Sequence, residues 1–256
     1  MQQPLIKYHL KGRCALVTGG ASGIGLSTVE FLAKSGCSVA INYLPNDEKA
    51  VEKIQQLTQE GYDVTGIPHA IGDGKEYELI ERTIEKLGQL DLLVNNAGTP
   101  ATNESLNPKD LDAITDAMWS EVLDVNLVGL FRLTRAAASF LRKSSGAVVN
   151  LASVSALSSR GSSMAYAASK AGVISLTRHM AIALAPEVRV NGVAPGAVDS
   201  TWRIEWTDEQ RLSSIEATPL KRRCTTDEIA ESIVYLGFSA PMITGQTLVI
   251  DGGLIL

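Results

Sequence analysis

The chain has few of the residues that build metal and disulfide sites. Its three cysteines, Cys14, Cys37 and Cys224, are odd in number and sit in or near apolar runs. No spacing among them matches a metal-ligand set or a disulfide framework, which fits a reducing cytoplasm. The three histidines, His9, His69 and His179, form no sequence cluster. Basic charge is in deficit: 23 Lys and Arg against 28 Asp and Glu leave a net charge of −5. That balance argues against a general nucleic-acid or anionic-membrane surface. No apolar run reaches transmembrane length, and the start, MQQPLIKYHL, has no apolar core resembling a signal peptide. The expectation is a soluble, cytoplasmic protein with no metal.

What is present is ordinary globular material: 256 residues, 45% hydrophobic and 20% charged, enough for a sizeable core. Short β-branched or Leu-rich runs alternate with longer amphipathic ones. The predicted strands are 14–18, 38–42, 63–67, 90–95, 147–151, 188–193 and 247–250. The predicted helices are 24–35, 48–60, 75–87, 119–142, 165–185 and 226–237. Strands each followed by a helix imply right-handed crossovers and a parallel sheet buried on both faces, an α/β fold. No linker or repeat divides the chain, so residues 1–256 read as a single domain. The least regular stretch, 197–220, carries Trp202 and Trp206, and reads as a substrate-covering loop.

The first predicted strand runs into Thr18-Gly19-Gly20-Ala21-Ser22-Gly23-Ile24-Gly25, which opens the first helix. Glycines there let a phosphate approach the backbone amides, and the helix start offers unpaired N–H groups and a positive dipole end. This is the context a dinucleotide-binding turn requires. The second strand ends at Asn42-Tyr43-Leu44 without the carboxylate that would hold the ribose 2′-hydroxyl of NAD. Asp47 and Glu48 come later and read as the start of the next helix. The strand end tilts towards NADP, with NAD also admissible, although no Arg or Lys stands there to grip a 2′-phosphate.

Tyr166 and Lys170 stand at i and i+4 on a predicted helix and so share one face. An ammonium in that position can stabilise a phenolate, making an inert phenol useful for proton transfer. Taken alone, the pair also reads as two solvated surface neighbours.

Together these features resemble the short-chain dehydrogenase/reductase family over nearly the whole chain. The motifs that carry the resemblance are Thr18-Gly-x-x-x-Gly23-x-Gly25, Asn95-Asn96-Ala97-Gly98, Asn126 in Asp124-Val-Asn, Ser153, Tyr166-x-x-x-Lys170 and Pro195-Gly196. The resemblance implies a single-domain Rossmann-type doubly wound parallel sheet of about seven strands. It also implies a catalytic tetrad of Asn126, Ser153, Tyr166 and Lys170. Tyr166 would exchange a proton with the substrate oxygen, and Ser153 would orient that oxygen. Lys170 would lower the Tyr166 pKa and hold the nicotinamide ribose, and Asn126 would hold a relay water. Cofactor contacts would come from Gly19, Ser22, Gly23, Ile24 and Gly25 at the pyrophosphate, and from Asn42 and Tyr43 at the ribose. Asn95, Ala97 and Gly98 would line the adenosine side; Pro195, Gly196, Val198 and Ser200 would meet the nicotinamide, with Thr201 a lesser substitute for Ser200. One departure stands out: an Asp that usually follows the third strand is missing or displaced in Pro68-His69-Ala70-Ile71-Gly72-Asp73. His69 or Ala70 would stand in for it.

The expected activity is NAD(P)-dependent interconversion of an alcohol and a ketone or aldehyde. A 3-oxoacyl-thioester reductase is the alternative, since Phe131-Arg132-Leu133 resembles the acyl-carrier-protein reductases of the family, although Arg132 also reads as an exposed helix residue. A non-catalytic dinucleotide sensor has no need of the intact tetrad. By the same resemblance a homotetramer with two-fold axes is expected. It would bury the apolar sides of the long helices carrying Leu127, Leu130, Leu133, Ile174, Leu176 and Ile182.

Overall fold

Four consecutive buried residues, Cys14–Val17, make β1, and the same unbroken burial runs through β4 (Leu92–Asn95) and β5 (Ala147–Leu151). Strands apolar on both faces belong inside a parallel sheet covered twice. The computed structural model, which describes residues 8–159, 161–200 and 206–256, contains that sheet. The other strands are β2 (Ser38–Tyr43), β3 (Val64–Pro68), β6 (Arg189–Pro195), β7 (Val198–Asp199), β8 (Cys224–Thr225) and β9 (Thr247–Ile250). The main sheet has seven strands in the order β3-β2-β1-β4-β5-β6-β9, every pairing parallel; β7 and β8 form a small separate ladder. All seven predicted strands are present, with ends shifted by no more than two residues.

The helices are α1 (Gly23–Lys34), α2 (Glu48–Gln59), α3 (Glu76–Leu87), α4 (Asp116–Leu123), α5 (Leu130–Ser144), α6 (Met164–Leu184), α7 (Asp208–Ala217) and α8 (Thr226–Phe238). Alternation along the strands sends Val17, Val94 and Val149 to one face, where Val29 and Leu32 of α1 and Ile233 of α8 cover them. Leu16, Leu93 and Val148 go to the other, under Leu79 of α3, Leu133 of α5 and Val173 of α6. The winding reverses between β1 and β4, which opens a crevice at the carboxyl ends of those strands.

Two sequence expectations change. The single predicted helix 119–142 is α4 and α5 joined by a wider π turn, Asp124–Gly129, and it starts earlier because the Thr115 side chain accepts from Met118 N at 3.2 Å. The stretch 197–220 is not merely irregular. It holds β7 and then α7, whose Thr207 and Gln210 form a reciprocal capping box. Trp202 and Thr201 lie outside the described residues. Among the described residues no helix is long and apolar enough to cross a membrane, and no group of three or more His, Cys, Asp or Glu side chains could hold a metal ion.

Candidate active site

A cavity of about 760 Å³ runs along the carboxyl ends of the central strands, from Tyr43, Asp47 and His69 at one end to Trp206 and Arg211 at the other. The glycine-rich turn forms its floor. Gly19 and Gly23 have φ of +59° and +53°, a left-handed backbone that glycine adopts without strain. Gly25 is glycine for another reason: a Cβ there would stand 2.2 Å from the Gly19 carbonyl oxygen. Asn96 clamps the turn from β4, its Nδ2 donating to the carbonyls of Thr18 and Gly19 at 2.8 and 3.0 Å. At the start of α1, Ser22 makes no side-chain capping bond and the first turn holds no acid. A helix N-terminus with its hydroxyl and N–H groups left unspent is suited to a pyrophosphate. A nicotinamide dinucleotide fits the residues present.

The catalytic candidates converge on the middle of this cavity. Ser153 and Tyr166 share a hydrogen bond, and both line the wall with Lys170. Ser153 caps the 3₁₀ turn after β5, accepting from Ser155 N at 3.1 Å, and Ser163 caps α6 by accepting from Tyr166 N at 3.1 Å. Those two caps fix the registers that bring the serine to the tyrosine. Lys170, one turn further along α6 and 4% exposed, donates to the Leu151 carbonyl at 2.7 Å. Its Nζ lies 5.6 Å from the Tyr166 ring centroid.

The electrostatics differ from the expectation that Lys170 lowers the Tyr166 pKa. Enclosure in the wall pushes the phenol up to about 12, and the hydrogen bond from Ser153 partly opposes this. One N–H of the ammonium goes to the Leu151 carbonyl, and burial brings its pKa down from 10.5 to about 8. Both groups are therefore protonated near neutral pH, and Tyr166 stands ready as a proton donor.

A stability prediction follows. Lys170 loses its proton at lower pH in the folded state than in the unfolded chain, so stability rises from about pH 8 towards 10.5, where the unfolded state binds more protons. Below pH 8 both states hold the proton, and the burial cost, on the order of 3 kcal/mol, is present in full. The raised Tyr166 pKa acts oppositely above pH 10, where the unfolded phenol ionises first. Urea midpoints measured from pH 7 to 10 should climb less in Lys170→Met than in the parent. Parallel curves would show that Lys170 is not desolvated as described.

Asn126 sits on the π turn, 1% exposed, and does not line the cavity. Its Oδ1 accepts from Thr99 N at 2.8 Å, and its Nδ2 donates to Thr99 O and Ser169 Oγ at 2.9 and 3.1 Å. Both side-chain donors are spent, leaving one Oδ1 lone pair of the side chain for a relay water. Gly98 separates it from the cavity; a Cβ there would meet Asn126 Oδ1 at 3.1 Å and Lys170 Nζ at 3.6 Å.

Most of the expected cofactor residues reach the cavity: Gly19, Ser22, Gly23, Ile24, Asn42, Tyr43, Ala97, Gly98, Pro195, Gly196, Val198 and Ser200. Gly25 and Asn95 do not. Gly25 packs behind the turn, and Asn95 Nδ2 is used inside the sheet by Asn150 Oδ1 at 2.9 Å and Thr134 Oγ1 at 3.1 Å. A strand end alternates its side chains, so Asn95 turns inward while Asn96 turns to the glycine loop. Of the two stand-ins after β3, His69 lines the cavity and Ala70 does not; Ile71 does. Arg132 is half-buried rather than exposed, and the exposed residue of that motif is Phe131.

Sequence reasoning missed several lining residues. Asp47 does cap α2, accepting from Ala50 N at 3.1 Å, yet it also borders the cavity. Ser155, whose Oγ lies 3.0 Å from that of Ser153, and Ser162 also line the pocket, and the buried Ser162 hydroxyl has no hydrogen-bond partner among the described residues. Arg223 and Arg211 also reach the cavity. Only the capping pattern at Thr207 could have hinted that a helix would carry Arg211 there.

A family model described as Enoyl-(Acyl carrier protein) reductase matches residues 19–255. The 3-oxoacyl-(acyl-carrier-protein) reductase of Staphylococcus aureus is 36% identical over 246 residues, 94% of this chain and 98% of that protein. The enzyme of the same name from Thermotoga maritima is 32% identical over 256 residues, 97% and 100% of the two chains. Among solved structures, a short-chain dehydrogenase/reductase from Serratia marcescens superposes with a TM-score of 0.87 at 30% identity, covering 96% of this chain and 99% of that one. This chain belongs to the short-chain dehydrogenase/reductase family. A blue fluorescent protein from a metagenomic library, solved with NADPH, is also similar, with a TM-score of 0.87 at 28% identity over 97% of this chain and 100% of that one. As a short-chain dehydrogenase/reductase, the protein is an NAD(P)-dependent oxidoreductase acting on a CH–OH group.

Proposed function

We propose that the enzyme interconverts a secondary alcohol and a ketone, or a primary alcohol and an aldehyde, at Tyr166, with NADP preferred over NAD. The observation that carries this is the hydrogen bond between Ser153 and Tyr166 on the cavity wall, with Lys170 buried behind it. When bound, the nicotinamide supplies or accepts the hydride. Tyr166 gives its proton to the substrate oxygen in reduction and takes it back in oxidation. Ser153 donates to the same oxygen and opposes the charge that develops there. Lys170, held by the Leu151 carbonyl, keeps a cation beneath the tyrosine. Asn126 pins the Thr99 backbone and Ser169 of α6, fixing the helix that bears both side chains. Residues 1–256 act as one unit, with the 197–220 segment as substrate cover.

A 3-oxoacyl-thioester reductase is the second reading, supported by the names of the relatives from S. aureus and T. maritima. Cofactor consumption over ketones, aldehydes, sugars and acetoacetyl thioesters, run with NADPH and NADH, separates the two. No turnover of any carbonyl compound would defeat both.

The NADP preference rests on Tyr43, which ends β2 at the cavity where an acid would select NAD. Gly66 of β3 makes room for its ring, a Cβ there being 3.0 Å from the ring edge. Tyr43→Asp should shift the ratio of cofactor dissociation constants towards NAD by about tenfold, through repulsion of the 2′-phosphate. An unmoved ratio would place the ribose elsewhere.

We also infer a homotetramer in the cytoplasm. Leu130, Leu133 and Ile174 turn out to serve the core, and Leu127 and Leu176 are half-buried against it. The apolar surface left for partners is therefore narrower than the helices' composition implied. It includes Ile182, 80% exposed on α6, and Leu248 and Val249 on the edge strand β9. An unpaired edge with apolar side chains favours two-fold pairing. The three cysteines are free and buried, as a reducing compartment allows. Light scattering at micromolar protein should give four chains; an active monomer would refute the assembly.

A further inference from the structure

At the far end of the cavity stands a charged group that the proton-transfer machinery does not use. Arg223, just before β8, has a side chain 7% exposed and lines the cavity. Its Nη2 donates to the Val198 carbonyl at 2.6 Å, and its guanidinium carbon lies 4.9 Å from the Trp206 ring centroid. Its Nε has no hydrogen bond among the described residues: it forms an ion pair with Asp199 Oδ1 at 3.2 Å, but that carboxylate is more than half exposed. No hydrogen bond of Nη1 is found among the described residues either. A guanidinium this buried ordinarily has its donors filled. Arg211, from α7, lines the same cavity, is exposed, and makes no ion pair among the described residues. The Asp199 carboxylate favours the Arg223 charge, and the Arg211 charge works against it. In a chain of net charge −5, two guanidinium groups facing one cavity mark a place for an anion.

We propose that Arg223 and Arg211, with Trp206 stacked on Arg223, form a subsite for an anionic group on the substrate, so that the enzyme acts on a small keto or hydroxy acid in preference to its neutral analogue. Trp206 holds the guanidinium plane by a cation–π contact, and Val198 fixes one arm of the fork, leaving the remaining donors to meet a carboxylate. The cofactor's own pyrophosphate is already provided for at the start of α1. Arg211 arrives on the helix that follows Trp206, on the substrate-cover side of the pocket. This deepens the proposed function and rests on its placement of the substrate.

The test compares acetoacetate with methyl acetoacetate, which differ only in the charged group, in the parent enzyme, Arg223→Gln and Arg211→Gln. The parent should favour acetoacetate, and the ratio of the two kcat/KM values should fall about 10- to 100-fold in each variant, the loss expected for a hydrogen bond to a charged group. Arg211 is on the surface, so its variant tests the subsite even where Arg223→Gln fails to fold. NADPH affinity, titrated by fluorescence, should hold in both variants. An unchanged ratio overturns the proposal. So does a loss of NADPH affinity that lowers both substrates equally, since the two arginines would then serve the cofactor. Calorimetric binding of acetoacetate to the protein saturated with NADP⁺ decides the matter without turnover. If the parent reduces no carbonyl yet binds acetoacetate through the arginines, the proposed function falls and the subsite stands. Binding of acetoacetate that is absent in the parent, or equal in parent and variants, removes the subsite.

Discussion

Tyr166→Phe should lower turnover by roughly 10²–10⁴-fold, the contribution of a positioned proton donor, while leaving cofactor affinity nearly intact. The substitution removes one oxygen and keeps the ring, so the cavity wall retains its shape. What is lost is the hydrogen bond to Ser153 and the proton itself. The phenol's pKa of about 12 sharpens the expectation, because nothing else at this position would hold a proton across neutral and mildly alkaline pH. Lys170 cannot substitute: it donates to the Leu151 carbonyl and is fixed one helical turn away. Stopped-flow reduction and cofactor fluorescence, run side by side from pH 6 to 9, separate the two effects. A variant with near-parent rates over that range would remove Tyr166 from the mechanism.

Gly25→Ala should weaken cofactor binding at least about tenfold and cost about 1–3 kcal/mol of stability, as over-packing does. The added Cβ would stand 2.2 Å from the Gly19 carbonyl oxygen and 2.6 Å from Asn96 Nδ2. The first of these is backbone and cannot rotate away. Relief has to come from moving either the glycine turn or α1, and both form the floor on which the pyrophosphate is expected. The Asn96 bonds to the Thr18 and Gly19 carbonyls would be strained by the same movement. Urea denaturation and NADPH titration measure the two losses. Parent values for both would mean that the close packing behind the turn does not hold its shape. Loss of stability without loss of affinity would assign Gly25 to the fold alone.

Local pattern carried much of the molecule. The strands were legible because a parallel sheet buried on both faces demands continuous apolar runs, and Cys14–Val17 and Ala147–Leu151 can be little else. The glycine turn, Tyr166 and Lys170 were legible because their function depends on spacing within one element, a turn or a single helical step. The helix α7 was missed since its apolar pattern is weak, although a capping box and two first-turn acids mark its start.

What sequence could not supply depends on contacts between distant segments. Asn95 and Asn96 are neighbours in the chain, yet one bonds Asn150 within the sheet and the other clamps the turn after β1. Only the pairing of β4 with both β1 and β5 decides which is which. The pKa values of Tyr166 and Lys170 were likewise set by enclosure, opposed at Tyr166 by Ser153, not by the four-residue spacing. Arg223 and Trp206 meet because β8 lies beside β7, a contact between segments 25 residues apart at Val198 and Arg223. Periodicity specifies which face of an element is apolar; which groups then share a buried space is fixed by how the elements pack, since burial and charge act through distance in space.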